Sequence, residues 1–258
     1  PLTVETGDLA FLDNGVPAQT ASAASGNYAM VGSVPIKNAS RQTLDTAALA
    51  DGSFSAALSE QAPQVLIVHT HGSEAYTMPA GEEYAATGSF RTDDATRSVV
   101  RVGDEIAAVL SSYGISVLHD RTLHDSPSYN GAYARSLTSI EGYLEKYPSL
   151  SFVLDVHRDA VQDASGQQYK LVSREEPHAA QISLVMGSDH DRWQDNLRLA
   201  VAVEERLMQS YPLRNYSYNQ SVCPGSMLVE VGAAGNSLDE AIYAARLFAA
   251  GLAETITA

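Results

Sequence analysis

Two histidines and two glutamates in this 258-residue chain stand where imidazole and carboxylate groups can do chemistry together. His71 and Glu74 lie three residues apart in HTHGSE (69–74), a spacing short enough for one loop to aim both at a single ion. His157 follows VLDV, and Glu230 sits inside MLVEV. Two His and one carboxylate make a zinc set with the fourth position open for water. Zinc lowers the pKa of such a water to about 7, so hydrolysis needs no Ser or Cys nucleophile. A second, unliganded Glu then takes the water's proton and returns it to a leaving amine. Each feature has a plainer reading. H-x-x-E recurs by chance, and a single His after a strand is most often a hydrogen-bonded structural residue. A Glu inside MLVEV is costly to bury unpaired, unless it partners Arg158 or Arg135. Their conjunction at strand ends favours a metal site.

A second group lies in HDRTLHDSPSYNGAYARS (119–136), which packs two His, two Tyr, Asn130 and Arg135 around SPSYNG. Loops rich in aromatic and polar groups often line clefts. Tyr129 and Asn130 offer an apolar face and amide donors suited to a sugar or a peptide. Arg135 and Arg158 would supply positive charge, Arg158 by gripping a carboxylate bidentately. The plain readings are a Ser-Pro/Asn-Gly turn feeding a helix, and an Arg158 paired with Asp159 or Asp155.

The elements that must position these groups are readable from Pro63 onward. QVLIVHT (64–70) and SFVLDV (151–156) are continuous apolar runs of strand length, as for strands covered on both faces. ISVLH (115–119), YKLV (169–172), ISLVMG (182–187) and MLVEV (227–231) read as further strands. Between them run helical stripes: Val99, Val102, Ile106 and Leu110 up to Gly114, then Tyr133, Leu137, Ile140, Leu144 and Tyr147 up to Pro148. Two more follow, at Trp193, Leu197, Val201 and Met208, and at Leu238, Ile242, Ala245, Ala249 and Leu252. This alternation predicts an α/β fold, a mostly parallel sheet with helices on both faces. Ligands in such sheets gather beyond the carboxyl ends of the strands, which groups the ends of 64–70, 151–156 and 227–231.

Composition bounds the function. Hydrophobic residues are 45% and charged residues 18%, enough apolar material for a core. A formal charge of −15 excludes a nucleic-acid or anionic-membrane binder, since both need basic patches. It also repels any anionic polymer unless the cleft is locally neutral or basic. The lone Cys223 excludes an internal disulfide and an all-cysteine zinc site. No apolar run approaches the ~20 residues that cross a bilayer. The opening PLTVETGDLAFLDNG has neither an initiator Met nor a signal pattern, as expected of a soluble portion excised from something longer. Residues 1–62 are rich in Ala, Ser, Thr and Gly, with QTASAASG (19–26) the extreme, and read as a linker or stalk on or leading to a catalytic domain at 63–258. VPIKN (34–38) is a short strand candidate within it.

The blocks VLIVHTHGSEAYT, SVVRVGDEIAAVLSSYGISVLHDRTLHDSPSYNGAYARSL, VLDVHRDA and YNQSVCPGSMLVEVGAAGNSLDEA resemble the stage II sporulation protein P family, in that family's order from Val34 through its IKN element to Leu247. The resemblance implies a zinc-dependent N-acetylmuramoyl-L-alanine amidase core, similar to the amidase 3 family and distantly to zinc carboxypeptidases. It also implies endopeptidase action on peptide cross-links, an upstream membrane anchor, and work on peptidoglycan outside the cytoplasmic membrane during engulfment. Its implied partners are the stage II sporulation proteins D and M. By resemblance His157 is a zinc ligand and Glu230 the catalytic Glu. His71 matches the first zinc His, with His69 the alternative two residues away. The carboxylate ligand is Glu74 on the carboxypeptidase pattern and Asp94 on the amidase pattern. Three functions stay in view: an amidase cutting the lactyl–L-Ala bond, an endopeptidase with the same machinery, and a wall-binding scaffold without chemistry.

Overall fold

A computed structural model describes residues 2, 4–20, 28–50, 58, 62–174, 176–207 and 211–258. The strands are β1 (Ala18–Thr20), β2 (Tyr28–Val31), β3 (Val34–Asn38), β4 (Val65–Val68), β5 (Val117–His119), β6 (Phe152–Asp159), β7 (Lys170–Val172), β8 (Ile182–Gly187), β9 (Tyr211–Arg214) and β10 (Gly225–Ala233). The helices are α1 (Thr46–Leu49), α2 (Val99–Ser112), α3 (Ala132–Lys146), α4 (Trp193–Leu207) and α5 (Leu238–Ile256). Eight strands form one sheet in the order β2-β3-β9-β8-β10-β6-β4-β5. Only β2–β3 and β10–β8 run antiparallel within it, so the α/β, mostly parallel expectation holds.

The two faces of the sheet are covered unequally. Val65 and Ile67 of β4, Phe152, Leu154 and Val156 of β6, and Met227, Val229 and Val231 of β10 pack with α2, α4 and α5 in one large core. α5 is apolar nearly all round because α2 and α4 flank it, and a capping box of Ser237 and Glu240 starts it. α2 begins at Ser98, whose side chain accepts from the Val100 N–H, and closes before Gly114 in the left-handed region at φ +79°. The opposite face is thinner: Leu66, Val68 and Val153 pack with Ile140 of α3, Leu150 and Cys223. Only Ala132, Ser136 and Ile140 of α3 are buried. Strand alternation puts Asp155 and His157 on this thinner face with Val153, and Glu230 beside Leu228.

The described part of 1–62 is not confined to the surface. Val31, Val34 and Ile36 alternate into the core, so β2 and β3 extend the sheet, where composition suggested a stretch lying on it. Residues ahead of them are tied down as well. Arg246 donates to the carbonyls of Glu5 and Thr6, Asn14 to those of Thr77 and Gly235, and β1 pairs with β7. Residues 21–27, most of the QTASAASG run, and Met208 lie outside the described residues. No described helix is long and apolar enough to cross a membrane.

Candidate metal centre

β10, β6 and β4 are neighbours at the middle of the sheet, which brings the three strand ends together. His157 and Glu230 are register partners on adjacent parallel strands, so both side chains leave the same face. After Val68 the chain abandons the strand and turns, with the Glu74 N–H donating to the His71 carbonyl at 3.0 Å. That turn carries His71 and Glu74 over the end of β6. Glu74 Oε2 comes within 3.2 Å of His157 Nδ1, and Glu74 Oε1 within 3.7 Å of His71 Nδ1. One ligand atom from each of the three lies within 4.8 Å of the others, and all three residues are buried.

The turn also separates the two histidines of HTH. His69 ends the strand pointing toward α2, so close that a Cβ on Gly103 would sit 2.6 Å from its Nε2. Its Nδ1 lies 2.9 Å from the Val156 carbonyl and its Nε2 2.8 Å from His119 Nε2. Alternation would have put His69 and His71 on one face, but β4 stops before His71, and the rule does not carry through a turn. Asp94 is likewise elsewhere, its carboxylate occupied by the Thr96 backbone and hydroxyl.

Electrostatics distinguish the members. Burial lowers the His71 pKa, aided by the neighbouring His157, which keeps a lone pair available. Burial works against ionised Glu74, but His157 and Arg158 outweigh it and hold the carboxyl below its usual range. His157 is also desolvated, yet Asp155 and Glu74 on either side hold its pKa well above the ordinary value. Its Nε2 lies 3.0 Å from Asp155 Oδ1, off the line of a linear hydrogen bond. Glu230 is pushed up to about 8, by burial first and then by the charge of Glu74 and Asp159. Its Oε2 is covered and has no hydrogen-bond partner among the described residues. Two imidazoles, an ionised carboxylate and an excess of local negative charge are a donor set suited to zinc.

Around this centre the predicted substrate residues divide. Tyr129 is exposed and stacks on the His71 ring at 4.5 Å, with the Arg91 guanidinium 5.0 Å from the centre of the tyrosine ring. Asn130 is exposed on the same loop. Arg135 spends its guanidinium on the carbonyls of His124, Ser128 and Asn130, which shapes that loop. Arg158 is 6% exposed and spends its donors on the carbonyls of Ala75 and Phe90, while its backbone N–H holds Glu74 Oε2. Neither arginine offers a free guanidinium at the centre; a bidentate fork placed among buried carbonyls is consumed by them. Arg91 is the cation at the rim, bonded to Asp125 at 2.5 Å and reaching Glu74 at 3.4 Å. Sequence reasoning missed Arg91, Asp155 and the pair Tyr216 and Tyr218, whose rings stand 4.8 Å apart and meet Tyr133 at about 6 Å. Asp155 was detectable on the ground applied to Glu230, a carboxylate inside an apolar strand. The others come from loops without periodicity.

A family model described as stage II sporulation protein P matches residues 17–253. The stage II sporulation protein P of Bacillus subtilis (strain 168) is 24% identical over 201 residues, 68% of this chain and 47% of that protein. The chain thus spans about half the length of that curated relative. Among solved structures, the CwlD amidase of Clostridioides difficile, determined in complex with the GerS lipoprotein, is similar with a TM-score of 0.46 and 14% identity, over 75% of this chain and 96% of that one. The N-acetylmuramoyl-L-alanine amidase AmiC2 of Nostoc punctiforme is similar with a TM-score of 0.42 and 13% identity, over 78% and 97%. With nearly its whole length matched by the family model, the chain belongs to the stage II sporulation protein P family.

Proposed function

We propose that this chain is a zinc-dependent peptidoglycan hydrolase, an N-acetylmuramoyl-L-alanine amidase that cuts the bond between the lactyl group of the glycan and the first L-Ala of the stem peptide. The observation that carries this reading is the convergence of His71, Glu74 and His157 next to Glu230. Zinc held by those three residues would polarise the scissile carbonyl and acidify a water. Glu230 is the proton acceptor for that water and the donor to the leaving amine. Its Oε2 makes no hydrogen bond among the described residues, and a pKa near 8 suits a group that must both take and return a proton near neutrality. His71 stays neutral through burial, and Arg158 fixes Glu74 by its backbone N–H. Tyr129, Tyr216 and Arg91 form an aromatic and cationic rim against which an uncharged sugar face and an anionic peptide can lie in an otherwise acidic protein.

Family membership supports a role in sporulation, on the outer side of the cytoplasmic membrane, with an anchor beyond this chain and the stage II proteins D and M as partners. Digestion of purified peptidoglycan followed by mass analysis of the products tests the reaction. Free stem peptides with intact glycan are expected. Split cross-links with stem peptides still on the glycan would make it an endopeptidase, and undigested sacculi that retain the protein would make it a wall-binding scaffold.

A further inference from the structure

A chain of buried polar groups leads away from the centre on the α3 side of the sheet. Asp155 Oδ1 accepts from the Thr70 N–H at 2.8 Å, and Oδ2 from the Thr70 hydroxyl at 2.6 Å. The Thr70 hydroxyl oxygen lies 2.7 Å from that of Ser136 on α3. Ser136 in turn accepts from the Asn219 side-chain amide at 3.1 Å, and the same amide donates to the Tyr133 carbonyl at 3.0 Å. Asp155, Thr70 and Ser136 are all buried. Tyr218 and Asn219 both adopt the left-handed backbone, at φ +48° and +57°. That conformation is costly for non-glycine residues and is retained only where surrounding bonds enforce it.

The direction of each bond follows from donor inventory. An ionised carboxylate only accepts, so the Thr70 proton must point to Asp155. The Thr70 oxygen is then free to accept from Ser136, whose oxygen accepts from Asn219. The single Ser136 proton has the Thr70 oxygen at 2.7 Å and the Tyr133 carbonyl at 3.1 Å in reach. Because Thr70 has already given its own proton to Asp155, the shorter contact takes it, and donors run from Asn219 through Ser136 and Thr70 to Asp155. At the far end Asp155 Oδ1 stands 3.0 Å from His157 Nε2 as an ion-pair contact, off the line of a hydrogen bond, while His157 Nδ1 faces Glu74.

We propose that Asp155 is a positioning residue for His157, and that Thr70, Ser136 and Asn219 lock it as an acceptor so that His157 carries its proton on Nε2 and presents the Nδ1 lone pair to the metal. Ligating histidines are commonly oriented by a carboxylate on the distal nitrogen, and loss of that partner typically costs 10–100-fold in metal affinity. Here the carboxylate is itself held by two bonds from one threonine. The same relay ends on the loop carrying Tyr216 and Tyr218, so ligand orientation and the aromatic rim share one support. The inference rests on the metal reading of His71, Glu74 and His157.

The test uses zinc itself, with a chromophoric chelator as competitor and thermal melting as a check on folding. Asp155→Asn can donate its amide to Nε2 and so favours the opposite tautomer; a 10–100-fold weaker zinc affinity is expected at a near-native melting profile. Thr70→Val, which keeps the shape and removes the hydroxyl, is expected to lose less than about 10-fold, as a residue acting through Asp155. Nitrogen-15 NMR of the zinc-loaded wild-type protein is expected to show His157 protonated at Nε2. Wild-type zinc affinity in folded Asp155→Asn, or zinc on Nε2 of His157, overturns the relay. If Asp155→Asn does not fold, the NMR assignment alone decides. Zinc uptake that persists at full affinity in His157→Ala overturns the metal reading and the relay with it. Loss of zinc in His157→Ala but not in Asp155→Asn overturns only the relay.

Discussion

Two histidine pairs sit on opposite faces of the same sheet and have opposite surroundings. His71 and His157 meet edge to face at 5.2 Å on the thinly covered side, with Glu74, Asp155 and Glu230 about them. His69 and His119 meet at 5.0 Å on the other side, pressed against Gly103 of α2, with a backbone carbonyl and Asp104 for partners. His69 and His71 differ by two positions in sequence and by a whole sheet in space. Imidazole spacing therefore does not identify a ligand. The pairs differ in their surroundings: carboxylates converge on the first, and a helix packs against the second.

The comparison breaks most sharply on metal content. His71→Ala or His157→Ala is expected to lose both bound zinc and hydrolysis, because two remaining ligands hold the ion poorly. His69→Ala is expected to keep stoichiometric zinc when folded and to lose thermal stability instead. Metal analysis after dialysis, run beside melting curves, checks both. Zinc lost from His69→Ala and kept in His71→Ala would reverse the assignment of the two faces. Glu74→Gln and Asp94→Asn in the same assay are expected to divide likewise, with only the former losing metal.

Next in size is a change that leaves the metal in place. Glu230→Gln keeps shape and hydrogen-bonding capacity but cannot accept a proton. It is expected to fold and bind zinc yet hydrolyse peptidoglycan on the order of 10²–10⁴ more slowly. Equal turnover would remove Glu230 from proton transfer, and lost zinc would make it a ligand.

The central strands, and the strand ends that come together, were legible in sequence for a physical reason. Val65–Val68, Phe152–Val156 and Met227–Val231 are apolar on both faces, so only their ends can host polar chemistry, and parallel topology aligns those ends. Glu230 stood out because a carboxylate inside such a run needs a compensating role. What sequence left open lay in turns. Whether His69 or His71 faces the cleft depends on where β4 stops, and a turn has no periodicity to read. Arg158 and Arg135 looked like free cations because a sequence does not show which carbonyls will surround a guanidinium. Val31, Val34 and Ile36 were under-read because strands of four and five residues bury few side chains.

His69 and His157, one from each pair, differ in the sign of their pH response. Burial, with His119 adding to it, lowers the His69 pKa from 6.5 to about 3. Between those values the unfolded chain takes a proton that the folded chain refuses. Stability is therefore complete above about pH 6.5 and is lost as pH falls toward 3, by up to about 1.4 kcal/mol per unit. His157 in the metal-free protein is raised, so its contribution is present below 6.5 and is lost as pH rises. His69→Asn, whose amide can still donate to the Val156 carbonyl, is expected to flatten the stability–pH curve between pH 6.5 and about 4.5. Denaturant midpoints across that range measure it, and parallel curves for the two proteins would refute burial of a neutral His69.

The smallest effect tests the packing that makes the α2 face unsuited to a ligand. A Cβ at Gly103 would lie 2.6 Å from His69 Nε2, 2.7 Å from His119 Nε2 and 2.8 Å from His69 Cε1. Both rings are anchored, His69 to the Val156 carbonyl and His119 to Asp104, so neither can retreat without breaking a hydrogen bond. Gly103 lies inside α2, where alanine would ordinarily gain about 0.5–1 kcal/mol over glycine. Overpacking costs about 1–3 kcal/mol and opposes that gain. Gly103→Ala is therefore expected to be destabilising by about 1–2 kcal/mol while zinc content stays at the wild-type level. The combined variant Gly103→Ala with His69→Ala should recover part of the loss, since one of the two rings it strikes is gone while His119 Nε2 still stands 2.7 Å from the new Cβ. A Gly103→Ala protein more stable than wild type would mean that α2 stands off the histidines, and that the room denied to a ligand on that face is in fact there.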